Sequence, residues 1–125
     1  PTTYNNYATC YFALGRYDSA EVIFKKAIAI TPICYADGLS NLGSVYGMRG
    51  AAYLGQNNKE EASKFFYMAI DMFNKALECD KNNSQAYQFL GVTYVNLGDT
   101  TKARPYTDRY NQLMKEKQNR LNKFK

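Results

Sequence analysis

Any catalytic reading of this 125-residue chain has to do without histidine, of which it has none. That removes the commonest general base, the commonest metal ligand and the usual partner of a nucleophilic Ser or Cys. Three cysteines remain, Cys10, Cys34 and Cys79. They form no CxxC pair and lie far apart, so neither a zinc site nor a compact disulfide framework is indicated, and any pairing leaves one thiol over. Free, mostly buried thiols are the expectation; this favours a reducing, intracellular compartment without fixing one. The segment Gly98-Asp99-Thr100-Thr101-Lys102 resembles part of a phosphate loop but lacks its upstream glycine, and reads as a helix-entry turn. No HExxH or GxSxG occurs. No catalytic residue, metal site, cofactor or small-molecule substrate is expected, and an enzyme is the weakest of the readings weighed.

The charged residues point elsewhere. The net charge is +5, yet from Lys102 onward eight basic residues face only Asp108 and Glu116, giving +6, while residues 1–101 carry −1. A basic C-terminal stretch could attract nucleic acid or anionic lipid. A solvated outer face on a terminal helix accounts for it more simply. Apolar residues make up 46% of the chain and aromatic ones 15%, which is the composition of an ordered domain. The length suits one domain. No apolar run approaches the roughly 18 to 20 residues of a membrane-spanning helix. The chain starts at Pro1 rather than Met, which leaves an upstream leader or further domain open.

The elements that would position these groups follow from a repeat. Tyr4, Tyr7, Ala8 and Tyr11 precede Ala20, Phe24, Ala27 and Pro32; Leu39, Leu42, Gly43 and Tyr46 precede Ala69, Phe73 and Ala76; Tyr87, Leu90, Gly91 and Tyr94 precede Ala103. Within each copy the intervals are three and four, the spacing of one helix face. Turn-forming clusters separate the helices at 15–19, 55–58, 80–84 and 98–101. Each copy is thus read as a helix, a tight turn and an antiparallel helix. The small residues let two backbones approach while Tyr and Phe fill the spaces between turns. Pro32 ends its helix, since it has no N–H to donate and its ring crowds the preceding turn.

Together these positions resemble the tetratricopeptide repeat family, whose 34-residue signature runs W-x2-L-G-x2-Y, then A-x3-F, then P. Leu42-Gly43 with Tyr46, and Leu90-Gly91 with Tyr94, match its middle; Ala20, Phe24 and Pro32 match its second half. The departures are local: Tyr7-Ala8 for Leu-Gly, Lys81 where Pro is usual, and Thr107 and Tyr110 where Phe and a second Ala belong. Pro105 lies a turn inside its helix, where a kink or a late start is expected. Tyr46 and Ala69 are 23 residues apart, against nine for Tyr11 to Ala20 and for Tyr94 to Ala103. The excess is assigned as about two extra turns on each helix of the middle hairpin, with its tip near Gly55 to Asn58 projecting about 10 Å. The expected architecture is all-α: three hairpins over about 1–34, 36–83 and 84–125, the last including a long capping helix. That helix carries Ala103, Tyr106, Tyr110, Leu113, Met114, Leu121 and Phe124 on its apolar side.

The resemblance implies a right-handed superhelix whose first helices form a concave groove that receives a peptide. First-helix residues outside the packing signature would line it: Asn5, Thr9 and Phe12; Asn41, Ser44 and Met48; Gln85, Gln88, Val92 and Asn96. These are mostly neutral and rich in amides, and an ordinary solvated surface is the competing reading for each. Chaperone adaptors of the family clamp a C-terminal carboxylate with Lys, Asn and Arg. Here Asn5 and Gln85 stand where Lys is expected, Thr9 where Asn is expected and Phe89 where Arg is expected; only Asn41 keeps the family's residue type. A groove without those charges argues against a carboxylate clamp. The preferred function is a protein-interaction scaffold for a protein or peptide partner, with a nucleic-acid-binding module using the basic last helix as the alternative. The first helix pair has no evident cap, so self-association through it is a further possibility.

Overall fold

The computed structural model describes residues 16–30 and 34–123. Asn5, Thr9 and Phe12, with the first helix expected for the first repeat, lie outside the described residues. Five helices follow one another: α1 (Tyr17–Ile30), α2 (Ala36–Gly55), α3 (Lys59–Cys79), α4 (Ser84–Asn96) and α5 (Thr100–Asn122). There is no strand among the described residues. Each helix packs on the next, and α2 also touches α4, so first helices stand side by side along one face of an α-α superhelix. α2 and α3 have 20 and 21 residues, against 14 for α1 and 13 for α4.

The turn clusters act through hydrogen bonds that a helix start needs. The side chains of Asn58, Asn83 and Asp99 accept from the backbone N–H groups of Glu61, Ala86 and Lys102, each three residues on. Each N-cap satisfies one of the otherwise unpaired first-turn donors. Asn57 and Gly98 take positive φ values of 59° and 83°, left-handed conformations that turn the chain from one helix into the next. Pro105 does not delay its helix, because Asp99 caps it at Thr100. Pro105 is the sixth residue of the helix, early enough that only the carbonyl of exposed Thr101 is deprived of its partner.

Small against large is how the helices close. Ala20, Ala69, Ala76 and Ala86 are fully buried, with Phe24, Phe73 and Leu90 in the same core cluster. Gly43 lies under the ring of Phe73 and Gly50 under that of Phe66; a Cβ at either would come within 2.7 Å of ring carbons. Phe65 stacks on Tyr53 with ring centroids 5.6 Å apart. Between α1 and α2, Glu21 accepts from the Tyr46 hydroxyl at 2.7 Å and from Arg49 at 2.8 Å, and pairs with Lys25 at 3.0 Å. Arg49 also reaches Asp18 and lies 4.7 Å over the Phe65 ring, so one guanidinium joins three helices. Burial pushes the Glu21 carboxyl up, but Tyr46, Lys25 and Arg49 outweigh it and leave the pKa below its ordinary value. Burial and the neighbouring carboxylate raise the Tyr46 hydroxyl above its own.

Two expectations are corrected here. Cys34 and Cys79 are not free buried thiols: they form a disulfide, with Cα atoms 5.5 Å apart, from the exposed α1–α2 connection to the last residue of α3. Their separation of 45 residues conceals that a long hairpin returns the chain to its starting level. The apolar side of α5 also ends sooner than its sequence implies. Ala103 and Leu113 are buried, but every residue from Lys115 to Lys123 is exposed, Leu121 included. α5 outruns the 13-residue α4 by ten residues, roughly 15 Å of helix, and its residues 115–123 are exposed among the described residues.

Candidate functional site

The seam between α2 and α4 has two dissimilar ends. At the end nearest the start of both helices, the Asn83 side chain is almost wholly buried. Its Oδ1 accepts from Ser40 Oγ and from the Ala86 N–H, both at 2.9 Å, and its Nδ2 donates to Asp37 Oδ1 at 3.1 Å. The N-cap of α4 is therefore also the polar tie to α2. One turn on, Gln85 Nε2 donates to Asn41 Oδ1 at 2.9 Å. Two amides expected to face a ligand are thus spent in part on each other, because the first helices come close enough to pair them.

Farther along the seam the helices leave a cavity of about 240 Å³. Its walls are Ser44, Gly47, Met48 and Ala51 of α2 and Phe89, Val92, Thr93 and Asn96 of α4, over Phe73 of α3. Phe73 is fully buried and stacks on Phe89 with centroids 5.9 Å apart, so the floor is held from below. The space exists because α2 has small residues there: a Cβ on Gly47 would meet nothing within 4 Å. Ser44 and Thr93 add little polarity. Their hydroxyls donate back to the carbonyls of Ser40 and Phe89, at 3.0 and 2.6 Å. Among the described residues no Lys, Arg, Asp or Glu lines the cavity.

Of the residues selected from sequence, Ser44, Met48, Val92 and Asn96 are brought together at this cavity. Met48 and Val92 remain 45% and 50% exposed, large apolar side chains left half uncovered. Gln88 does not reach the cavity. It lines, with Gly91, Val92, Val95, Thr107, Tyr110 and Asn111, an adjoining cleft between α4 and α5 that shares Val92. The sequence reading passed over Gly47, Ala51, Phe73, Phe89 and Thr93 as lining residues. Two signals were present: small residues recur every four positions at Gly43, Gly47 and Ala51, and Phe89 occupies a position where Arg was expected.

The basic residues of α5 lie away from this cavity, and none lines it or the adjoining cleft. Arg109 donates to Asn82 at 3.0 Å, and Lys102 lies 6.0 Å from the Tyr94 ring centroid. Among the described residues no group of three or more His, Cys, Asp or Glu is placed to hold a metal ion. No helix there is long and apolar enough to cross a membrane.

Stacked helical hairpins with a cavity on the first-helix face define a helical-repeat scaffold. Residues 1–75 match one tetratricopeptide repeat family model and residues 72–104 match another. The chain belongs to the tetratricopeptide repeat family, a protein-interaction fold. No curated protein matches its sequence. Among solved structures it is similar to an IFIT1 monomeric mutant with Gppp-AAAA, with a TM-score of 0.75 and 23% identity over 86% of this chain and 25% of that one. It is also similar to the MamA protein, with a TM-score of 0.67 and 22% identity over 93% of this chain and 55% of that one. The second tetratricopeptide domain of Spaghetti (RPAP3), bound to the HSP90 peptide SRMEEVD, gives 0.58 and 22% identity over 90% of each chain. The chain thus spans a quarter of the first of these proteins and just over half of the second. At such identities the likeness is one of fold.

Proposed function

We propose that this chain is a binding module that holds an extended segment of a partner protein against the α2–α4 face. The observation that carries this reading is the uncovered cavity between the two first helices, formed by Met48, Val92 and Asn96 over the Phe73–Phe89 pair. Pockets that bind ligands are concave, mostly apolar and supplied with a few convergent polar groups. The Spaghetti (RPAP3) structure supports the reading by analogy, since that domain has a peptide bound. An acidic peptide suits this chain poorly, because among the described residues no basic side chain lines the cavity to pair with carboxylates. For the same reason the IFIT1 likeness does not make RNA the better reading: phosphate contacts need cations, and those of α5 lie outside both hollows.

The test is capture of partners by the full chain, identification of the bound segment and calorimetry with that segment. Met48→Lys with Val92→Lys is expected to weaken it at least tenfold, while Tyr67→Ala, at an exposed position on α3, leaves it unchanged. Equal affinity for all three proteins would exclude this face.

A further inference from the structure

The cavity has a definite size, polarity and flank, and these narrow what can enter it. An apolar void of roughly 150 Å³ already admits a benzene ring, and this one measures about 240 Å³. Since the Ser44 and Thr93 hydroxyls are committed to their own helices, an entering group meets mainly methyl, methylene and ring carbon. A carboxylate or ammonium there would be desolvated without a counter-charge, because among the described residues no ionisable side chain lines the cavity. Two amides of α4 lie along this face, Asn96 in the cavity wall and Gln88 in the adjoining cleft that shares Val92. Gln88 and Asn96 stand eight residues apart with Val92 midway, and neither side chain hydrogen-bonds to another described residue. Eight helical residues rise about 12 Å, close to the span of three or four residues of extended chain at about 3.3 Å each. Amides at that spacing can each give and take a hydrogen bond with a backbone laid along the helix.

We propose that the cavity is an anchor site for one large apolar side chain, of leucine, methionine or phenylalanine size, on an uncharged extended stretch of a partner whose backbone is held by Gln88 and Asn96. The proposal rests on the groove reading above and adds its selectivity. The anchor enters between Met48 and Val92, comes to rest on the Phe73–Phe89 stack and occupies the space that Gly47 leaves open. Selection then comes from volume and from the exclusion of charge, with the amides indifferent to sequence.

The probe is a series of capped peptides, Gly-Ser-Gly-X-Gly-Ser-Gly with X as Phe, Leu, Ala, Asp or Lys, titrated into the full nitrogen-15-labelled chain and followed by amide chemical shifts. Phe and Leu peptides are expected to give saturable shifts at Gly47, Ala51, Val92 and Asn96, with Ala, Asp and Lys at least tenfold weaker. Gly47→Leu should fill the cavity and weaken the Phe peptide at least tenfold with unchanged circular dichroism; should that variant melt early, Ala51→Leu fills the same space from the next turn. Asn96→Ala should weaken the Phe and Leu peptides by the same factor, since it acts on backbone. Asp or Lys binding as well as Phe, undiminished binding by the filled cavity, or no saturable shift at those four amides would overturn the anchor. Saturable shifts confined to Gln85 and Gln88 would also overturn it, yet leave the groove reading standing. That reading fails separately, on the calorimetry with captured segments.

Discussion

One seam between α2 and α4 is closed at one end and open at the other, and the two ends differ in what their side chains are asked to do. At the closed end Asn83 satisfies Ser40, Asp37 and the first turn of α4 together, while Asn41 and Gln85 pair across the gap. At the open end Gly47 and Ala51 withhold volume, and the hydroxyls of Ser44 and Thr93 turn back into their own helices. The lesson concerns polar residues in a groove: an amide near a neighbouring helix is consumed by it, and only those beyond its reach stay available. Buried polar groups must be paired, and here the pairing fixes the spacing of the repeats before any ligand arrives.

The strongest way to break the contrast is at its polar hub. Asn83→Leu removes an N-cap and leaves the buried Ser40 hydroxyl without its partner, which should lower stability by about 2–4 kcal/mol. Urea denaturation measures it, and a loss under about 1 kcal/mol would show that the closed end is not held as described. Reducing the Cys34–Cys79 bond, which closes a 45-residue separation, should cost about 2–4 kcal/mol. Melting curves with and without reductant report it; coincident curves would mean the bond adds no constraint.

Two glycines one turn apart sharpen the same contrast with opposite signs. Gly43→Ala drives a methyl against the Phe73 ring and should cost about 1–3 kcal/mol by overpacking. Gly47→Ala meets nothing and should stabilise its helix by about 0.5–1 kcal/mol. If both shift the midpoint in one direction, the open end is not open. The smallest effect is in pH dependence, at the α1–α2 contact. The folded pKa of Glu21 is lowered, so its contribution is present above the unfolded carboxyl's ordinary 4.5 and is lost as pH falls through the folded value. Tyr46 is raised, so its contribution holds below its ordinary 10.0 and is lost as pH rises through the folded value. Glu21→Gln should therefore flatten the acid limb of a stability profile; an unchanged acid slope would show that the carboxylate is not coupled to folding.

Much of this was legible in the residues alone, and the reason is locality. Helix faces follow from intervals of three and four, and the breaks before α3, α4 and α5 from the turn clusters at 55–58, 80–84 and 98–101, in which the structure finds Asn58, Asn83 and Asp99 bonding three residues ahead and α5 starting at Thr100 in spite of Pro105. Ala69, Phe73, Ala76, Leu90 and Ala103 occupy the core as their spacing indicates. What escaped involves distance along the chain. Leu121 and the other residues from Lys115 to Lys123 are uncovered because a neighbouring helix is too short, a fact that α5 itself does not record.

By itself, then, the sequence determined that the chain forms helices, where turns separate them and which faces of α1 to α4 are buried, since each of these depends on residues within a turn or two of one another. Only the tertiary structure decided that Cys34 meets Cys79, that Asn41 is engaged by Gln85 and that a cavity is left beside Gly47. Those outcomes turn on the separation of helices that lie some forty residues apart in the chain, and that separation is set by how every side chain between them packs.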